Sequence, residues 1–201
     1  DGNRNIGFIA VRFRDYATAE KAFDTALKDP GVKRDIEVYI AMGVAKRGLK
    51  KFKEAEEWYR KAMEIDKKDP RPWYNLAVLN QDHLVGQDGT DQAKLEEYYK
   101  TAQEHCQKFM KMAEGNKRFA DSYKDCVDRD AIIKDTFETF KVMAELEAKA
   151  AALAEAEKKA EQERRKKLLE MEQQAAAAGA PSPEEQADAA AAAEAAAEKT
   201  E

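Results

Sequence analysis

Residues Lys51 to Asp66 read KFKEAEEWYRKAMEID, and Asp15 to Asp29 read DYATAEKAFDTALKD. Laid over one another, Tyr16 matches Phe52, Ala19 matches Ala55, Phe23 matches Tyr59 and Ala26 matches Ala62, at a constant offset of 36 residues. Upstream, Gly7 matches Gly43 at the same offset. Small residues at fixed places, with aromatics between them and a period in the thirties, are the mark of stacked helix–turn–helix units. Each unit is a helical hairpin that cannot hide its apolar face alone and buries it against its neighbours. Gly43 and Ala62 stand where two helices must cross closely, and Phe52 and Tyr59 fill the space between neighbouring helices.

Working outward, a third unit begins at Pro70 and carries Trp73, Leu76 and Ala77 in order. Its first helix is expected from about Pro70 to Leu84, with Pro70 and Pro72 tolerated in the first turn. The connection Val85-Gly86-Gln87-Asp88-Gly89-Thr90 is long, and the next helix resumes near Asp91 with Tyr98, Tyr99 and Ala102. Long loops between packed helices are either functional or simply tolerated insertions.

The second unit, Ile36 to Asp69, carries Tyr39, Met42, Gly43, Phe52, Ala55, Tyr59 and Ala62. This pattern resembles the tetratricopeptide-repeat family, with large, small and aromatic residues at set positions of a 34-residue unit. It departs at Lys50, where a turn glycine is usual, and at Lys67, where a proline is usual. The first unit supplies Ile6, Gly7, Tyr16, Ala19, Phe23 and Ala26 and starts part-way through the pattern. The resemblance covers roughly the first half of the chain. It implies an all-α solenoid whose concave face is lined by the first helix of each hairpin: Arg4, Phe8 and Arg12; then Glu37, Ile40, Val44 and Arg47; then Arg71, Tyr74, Val78 and Gln81. Apolar anchors mixed with arginines suit an extended or helical peptide with acidic flanks. Receptors for chaperone tails hold a terminal carboxylate with Lys and Asn at set points. Here Arg4, Phe8, Ala41, Arg71 and Asn75 stand at those points, so most of that clamp is missing.

Past the repeats, the helix from Asp91 continues through Cys106, Phe109 and Met112 to a stop at Gly115-Asn116. A further helix follows with Phe119, Tyr123, Cys126 and Val127 on its apolar side. Cys106 and Cys126 lie ten residues either side of position 116, so an antiparallel hairpin brings them side by side. They are either a disulfide, if the compartment is oxidising, or two buried free thiols. Zinc is disfavoured: His105 points away from Cys106 on a helix, and His83 is the one other histidine.

Ile132, Ile133, Phe137, Phe140 and Met143 recur at helical spacing in a helix that Asp128 or Asp130 is placed to cap. Beyond Leu153 the apolar stripe fades into Glu–Lys and Glu–Arg pairs four apart, which support a solvated helix by a few tenths of a kcal/mol each. Met143, Leu146, Ala150 and Leu153 fit a heptad, but Glu157 and Arg164 break it, which favours a single projecting helix over a coiled coil. Leu168, Leu169 and Met171 form an apolar spot on it. Gly179-Ala180-Pro181 reads as a stop and Ser182 to Glu185 as a capping box. The Ala/Glu run beyond has nothing to bury and is expected to be disordered. The domain reading is therefore repeats over 1–112, capping helices over 113–143, a solvated charged helix over 144–178, and a tail over 179–201.

The composition fits this division. Charged residues make up 37% of the chain and aromatics 8%, and every Trp, Tyr and Phe lies at or before Phe140. A net charge of −5 gives no basic footprint for nucleic acid, and no apolar run is long enough to span a bilayer. There is no phosphate-binding glycine loop, no HExxH and no nucleophile elbow, and no metal or cofactor is implied. The sequence reads as a protein-binding scaffold, not an enzyme. Repeats followed by a cysteine-bearing hairpin and an Ala/Glu/Lys tail resemble the TPR lipoproteins of bacterial gliding-motility machinery. That implies a periplasmic or envelope scaffold of a motility or secretion machine. The alternatives are a cytosolic adaptor or co-chaperone, and an accessory module of a larger enzyme. The start at Asp1, inside a repeat, reads as a fragment or a mature form.

Overall fold

A computed structural model of the chain describes residues 2–86, 89 and 91–177. Among them every regular element is a helix, with no strand. Three hairpins follow in order: α1 (Gly2–Arg12) with α2 (Tyr16–Ala26), α3 (Ile36–Gly48) with α4 (Phe52–Ile65), and α5 (Arg71–Leu79) with α6 (Gln92–Ala113). The last helix, α7, runs from Ala120 to Ala177. The described residues divide into two compact units between Thr139 and Phe140.

The first two hairpins obey the 36-residue offset in three dimensions. Their turns are closed by Arg14 (φ 61°) and Lys50 (φ 60°), repeat equivalents that both adopt the left-handed conformation. Non-glycine side chains enter that region at a cost. The glycine pair is explained by close crossing: a Cβ on Gly7 would overlap the ring of Phe23, and one on Gly43 the ring of Tyr59. Flanking these rings on their own helices, Ala19, Ala26, Ala55 and Ala62 are buried. Helix starts are fixed by Asp15, which accepts from the Thr18 amide, and by Asp35, which accepts from the Glu37 amide. Lys46, buried on α3, joins the hairpins by pairing with Glu20 of α2 and Glu54 of α4, each at 2.5 Å.

The third hairpin departs from expectation. The helix expected to Leu84 ends as α-helix at Leu79 and widens into a π-turn over Asn80–Leu84. The wide turn is closed by the Val85 amide, which donates to the Asn80 carbonyl at 3.2 Å, and the buried Asn80 side chain donates to the Leu76 carbonyl at 2.8 Å. The helix from Asp91 is confirmed, with the Asp91 carboxylate capping Lys94. The stop at Gly115 is also present, at φ 70°. The cap expected at Asp128 or Asp130 is not: α7 passes through both without a break. Asp130 instead accepts from Gln103 of α6 and pairs with Lys134. From Phe140 to Ala177 α7 is exposed almost throughout. Gln87, Asp88 and Thr90 of the long connection lie outside the described residues, as do the stop at Gly179, the capping box and the Ala/Glu tail.

Candidate peptide-binding groove

The residues assigned to the concave face fall into three sets. The first is a charged row across all three hairpins. Arg4 of α1 donates to Asp35 at 2.5 Å, and Glu37 of α3 lies 3.9 Å from Arg4 and 3.3 Å from Arg71 of α5. Arg71 also grips Asp69 with two nitrogens, at 3.0 and 2.6 Å. The hydrogen bonds to Asp69 hold the Arg71 guanidinium above its usual range. Two of the groove arginines are therefore neutralised by the protein's own acids. The sequence reading placed Glu37 in the groove but missed Asp35 and Asp69. A signal was present, since each acid stands just before a helix start.

The second set is apolar. Phe8 packs edge-on against Phe23 with centroids 5.2 Å apart and carries the Arg4 guanidinium 4.8 Å from its ring centroid. Val44 is half-buried and packs on the core formed by Ala55, Tyr59, Leu76 and Leu79. Ile40 and Val78 are almost fully buried, so they shape the floor and offer little surface. The third set meets α7. Tyr74 packs on Phe109, with centroids 5.4 Å apart, and belongs to the core that holds Cys126. Burial first, and then the nearby Asp125 charge, push the Tyr74 phenol up to about 12. Gln81 accepts from Arg129, which also grips Asp82 at 2.6 Å and Asp125 at 2.6 Å. The third hairpin's groove positions are thus engaged by α7. The clue was Arg129 itself, a charge three residues from Cys126 and four from Ile133 on the buried face.

Arg12 is exposed. Arg47 is different from the other groove arginines. It is half-buried, one of its terminal nitrogens is fully buried without a hydrogen-bond partner, and among the described residues it makes no ion pair. Beneath it the Tyr59 hydroxyl is likewise buried and unpartnered. Burial pushes the Tyr59 phenol up to about 12, against a small opposing pull from Arg47. Burial, then the charge of Arg47, hold His83 below its ordinary value, so its ring is neutral near pH 7.

Residues 36–69 match the family model of the tetratricopeptide repeat. The chain thus contains a tetratricopeptide repeat. Its fold is shared with SycD, the type III secretion translocator chaperone of Yersinia enterocolitica. The TM-score is 0.57 at 14% identity, covering 68% of this chain and 84% of that one. PcrH in complex with the chaperone-binding region of PopD gives a TM-score of 0.55 at 12% identity, covering 67% and 90%. The TPR2B domain of yeast Sti1 in complex with pHsp70 gives 0.52 at 19% identity, covering 67% and 95%. At these identities the likeness is one of fold. The sequence has no significant match among curated proteins.

Beyond the tetratricopeptide repeats, the hairpin argument brings Cys106 and Cys126 together, as expected. Both are buried as free thiols and hydrogen-bonded to each other, and that bond, followed by burial, raises the Cys126 thiol. His105, next to Cys106, turns to Trp73 with centroids 5.5 Å apart. Among the described residues no cluster of three or more His, Cys, Asp or Glu is arranged to hold a metal, and no helix is long and apolar enough to cross a membrane.

Proposed function

We propose that this repeat chain is an adaptor that binds a peptide segment of another protein along the concave side of α1, α3 and α5. We further propose that Arg47 supplies the polar anchor. The single observation that carries this is the contrast among the arginines: Arg4 and Arg71 are saturated by Asp35, Glu37 and Asp69, while Arg47 makes no ion pair. A donor-only side chain with unmet hydrogen bonds favours an acceptor brought in by a ligand. A carboxylate on the peptide, with an apolar side chain against Val44 and Phe8, matches this arrangement. The relatives' peptide-bound and partner-bound forms support the same reading.

The test is to select peptides from a random display library on this chain and measure affinity by calorimetry. Arg47→Ala is expected to weaken binding by about tenfold or more, the loss of one charge-assisted bond, with the melting temperature retained. Arg4→Ala is expected to do less. Selected peptides whose affinity is indifferent to both Arg47→Ala and Val44→Asp overturn the groove assignment.

The finer assignment, a scaffold within a bacterial envelope motility or secretion machine, is proposed from the order of repeats, cysteine-bearing hairpin and charged helix. A cytosolic adaptor or co-chaperone is the alternative, and an accessory module of a larger enzyme is a third. Fractionation of the native protein separates them: envelope recovery supports the first, soluble cytosolic recovery the second, and co-purification as part of a catalytic polypeptide the third.

A further inference from the structure

The exposed part of α7 carries an apolar pattern with mirror symmetry. Met143, Leu146, Ala150 and Leu153 lie 14, 11, 7 and 4 residues before Glu157, and Glu161, Arg164, Leu168 and Met171 lie 4, 7, 11 and 14 after it. At 100° per residue all nine fall within about 80° of one another on the helix surface, a single narrow stripe. The outer two positions repeat in reverse order, Met-Leu at one end and Leu-Met at the other. These side chains stand in solvent: Met143 is 52% exposed, Leu146 55%, Leu168 57% and Met171 66%. The residue at which the heptad breaks is thus the centre of symmetry of the two outer apolar pairs, while Ala150 is mirrored by Arg164 and Leu153 by Glu161.

We propose that this stripe is a self-association surface, and that its occupant is the same stripe of a second copy, antiparallel, with Glu157 on the two-fold axis. In that register Met143 faces the partner's Met171 and Leu146 faces the partner's Leu168, twice over, at the two ends of a helix pair about 42 Å long. Charge selects the antiparallel sense. Parallel pairing in register would set Glu157, Glu161 and Arg164 each against its own copy, and the basic run Arg164 to Lys167 against itself. Antiparallel pairing leaves only Glu157 against its copy. Arg164 then faces the small Ala150 of the other helix, Glu161 faces Leu153, and Lys167 lies level with Glu147. Like charges placed opposite one another oppose the wrong pairing, so the polar middle sets direction while the apolar ends supply attraction. With apolar contact confined to the ends, the association is weak, in the range of about 10 μM to 1 mM.

Sedimentation equilibrium of the full chain across that range tests the proposal. A monomer–dimer equilibrium is expected, and a strict monomer at the highest concentration overturns it. Leu146→Asp is expected to weaken dimerisation by about tenfold or more. Because Leu146 lies on an exposed helix face, the melting transition of the repeats is retained. Adding Leu168→Arg to that variant places Asp against Arg in the antiparallel register, and dimerisation returns. A pair that the second change does not rescue is not in this register. Direction is read independently by mixing Met143→Cys with Met171→Cys chains under mild oxidation, the native cysteines being buried. Cross-links between 143 and 171 are expected, and links of 143 to 143 exclude the antiparallel pair.

Discussion

Helix α4 and the stretch of α7 from residue 144 to 160 are written in nearly the same alphabet of Ala, Glu and Lys, yet one is core and the other is surface. In α4, Ala55 and Ala62 have no exposure at all. In α7, Ala148, Ala152 and Ala156 are exposed. The difference lies in what stands between the alanines. Phe52 and Tyr59 give α4 large rings to insert, and Gly43 on the facing helix leaves room for one of them. The α7 stretch has no aromatic side chain. Helix propensity and Glu–Lys pairing hold it as helix, as at Glu155 and Lys159, 2.7 Å apart. Alanine thus becomes a core residue only where a ring and a gap meet it.

The largest effect that breaks this comparison comes from filling the gap. Ala55→Trp is expected to destabilise the repeats by about 3 kcal/mol, at the upper end of overpacking costs. Ala148→Trp on the exposed helix is expected to change unfolding by less than about 0.5 kcal/mol. Denaturant melts of the two variants read the contrast directly. Equal effects at both sites would mean that the repeat register is wrong.

Next in size is the buried Lys46. Its ammonium bonds Glu20 and Glu54, and the substitution Lys46→Met is expected to cost about 2 kcal/mol. That is less than the loss of a fully buried pair partner, because Glu54 is half exposed. Burial alone would lower the Lys46 value, but its two carboxylate partners raise it above 10.5. The stability it contributes is therefore fully present below about 10.5 and is lost as pH climbs through the higher folded value. Burial alone would raise Glu20, but Lys46 and Lys51 hold it below 4.5. Its contribution is present above 4.5 and is lost as pH falls through the lower folded value. Urea midpoints across pH are expected to show a plateau between these limits. Lys46→Met should flatten the alkaline limb and, since Lys51 still bonds Glu20, only part of the acid limb.

The repeats were legible because their period is carried by residues whose size alone decides packing. Gly7, Gly43, Phe23 and Tyr59 can be matched without knowing any contact. What escaped was polar and irregular. The π-turn at Asn80 is closed by a backbone bond from the Val85 amide to the Asn80 carbonyl, a choice that apolar spacing does not encode. The uninterrupted start of α7 escaped because Asp128 and Asp130 have the chemistry of caps, and only the link from Gln103 of α6 to Asp130 shows that one of them is held mid-helix. In the groove, positions were readable but charge state was not. Whether an arginine is free or saturated depends on Asp69, two residues before Arg71, and on Asp35 and Glu37, which come near Arg4 and Arg71 only after the hairpins stack.

Tyr59 sharpens the comparison from the other side, by asking how much of the ring's value is ring. Its hydroxyl is buried with no partner, and an unsatisfied buried hydroxyl costs stability. Tyr59→Phe keeps the ring that fills the space over Gly43 and is expected to raise stability by up to about 1 kcal/mol. Losing stability instead would mean that the hydroxyl bonds a bound water with Arg47, and a high-resolution crystal structure would show that water.

The smallest effect belongs to Leu153. It is the large apolar residue nearest the centre of the charged helix and is 67% exposed. Leu153→Ala removes most of a side chain that touches little, and alanine is at least as good a helix former as leucine. The variant is expected to leave both the helical signal at 222 nm and the unfolding free energy of the repeats within about 0.5 kcal/mol of the parent. Measurement at low micromolar concentration keeps self-association out of the reading. A loss of about 2 kcal/mol, the cost of truncating a core leucine, would place Leu153 against an apolar partner within the same chain. The charged helix would then be core after all, and the contrast with α4 would be one of degree.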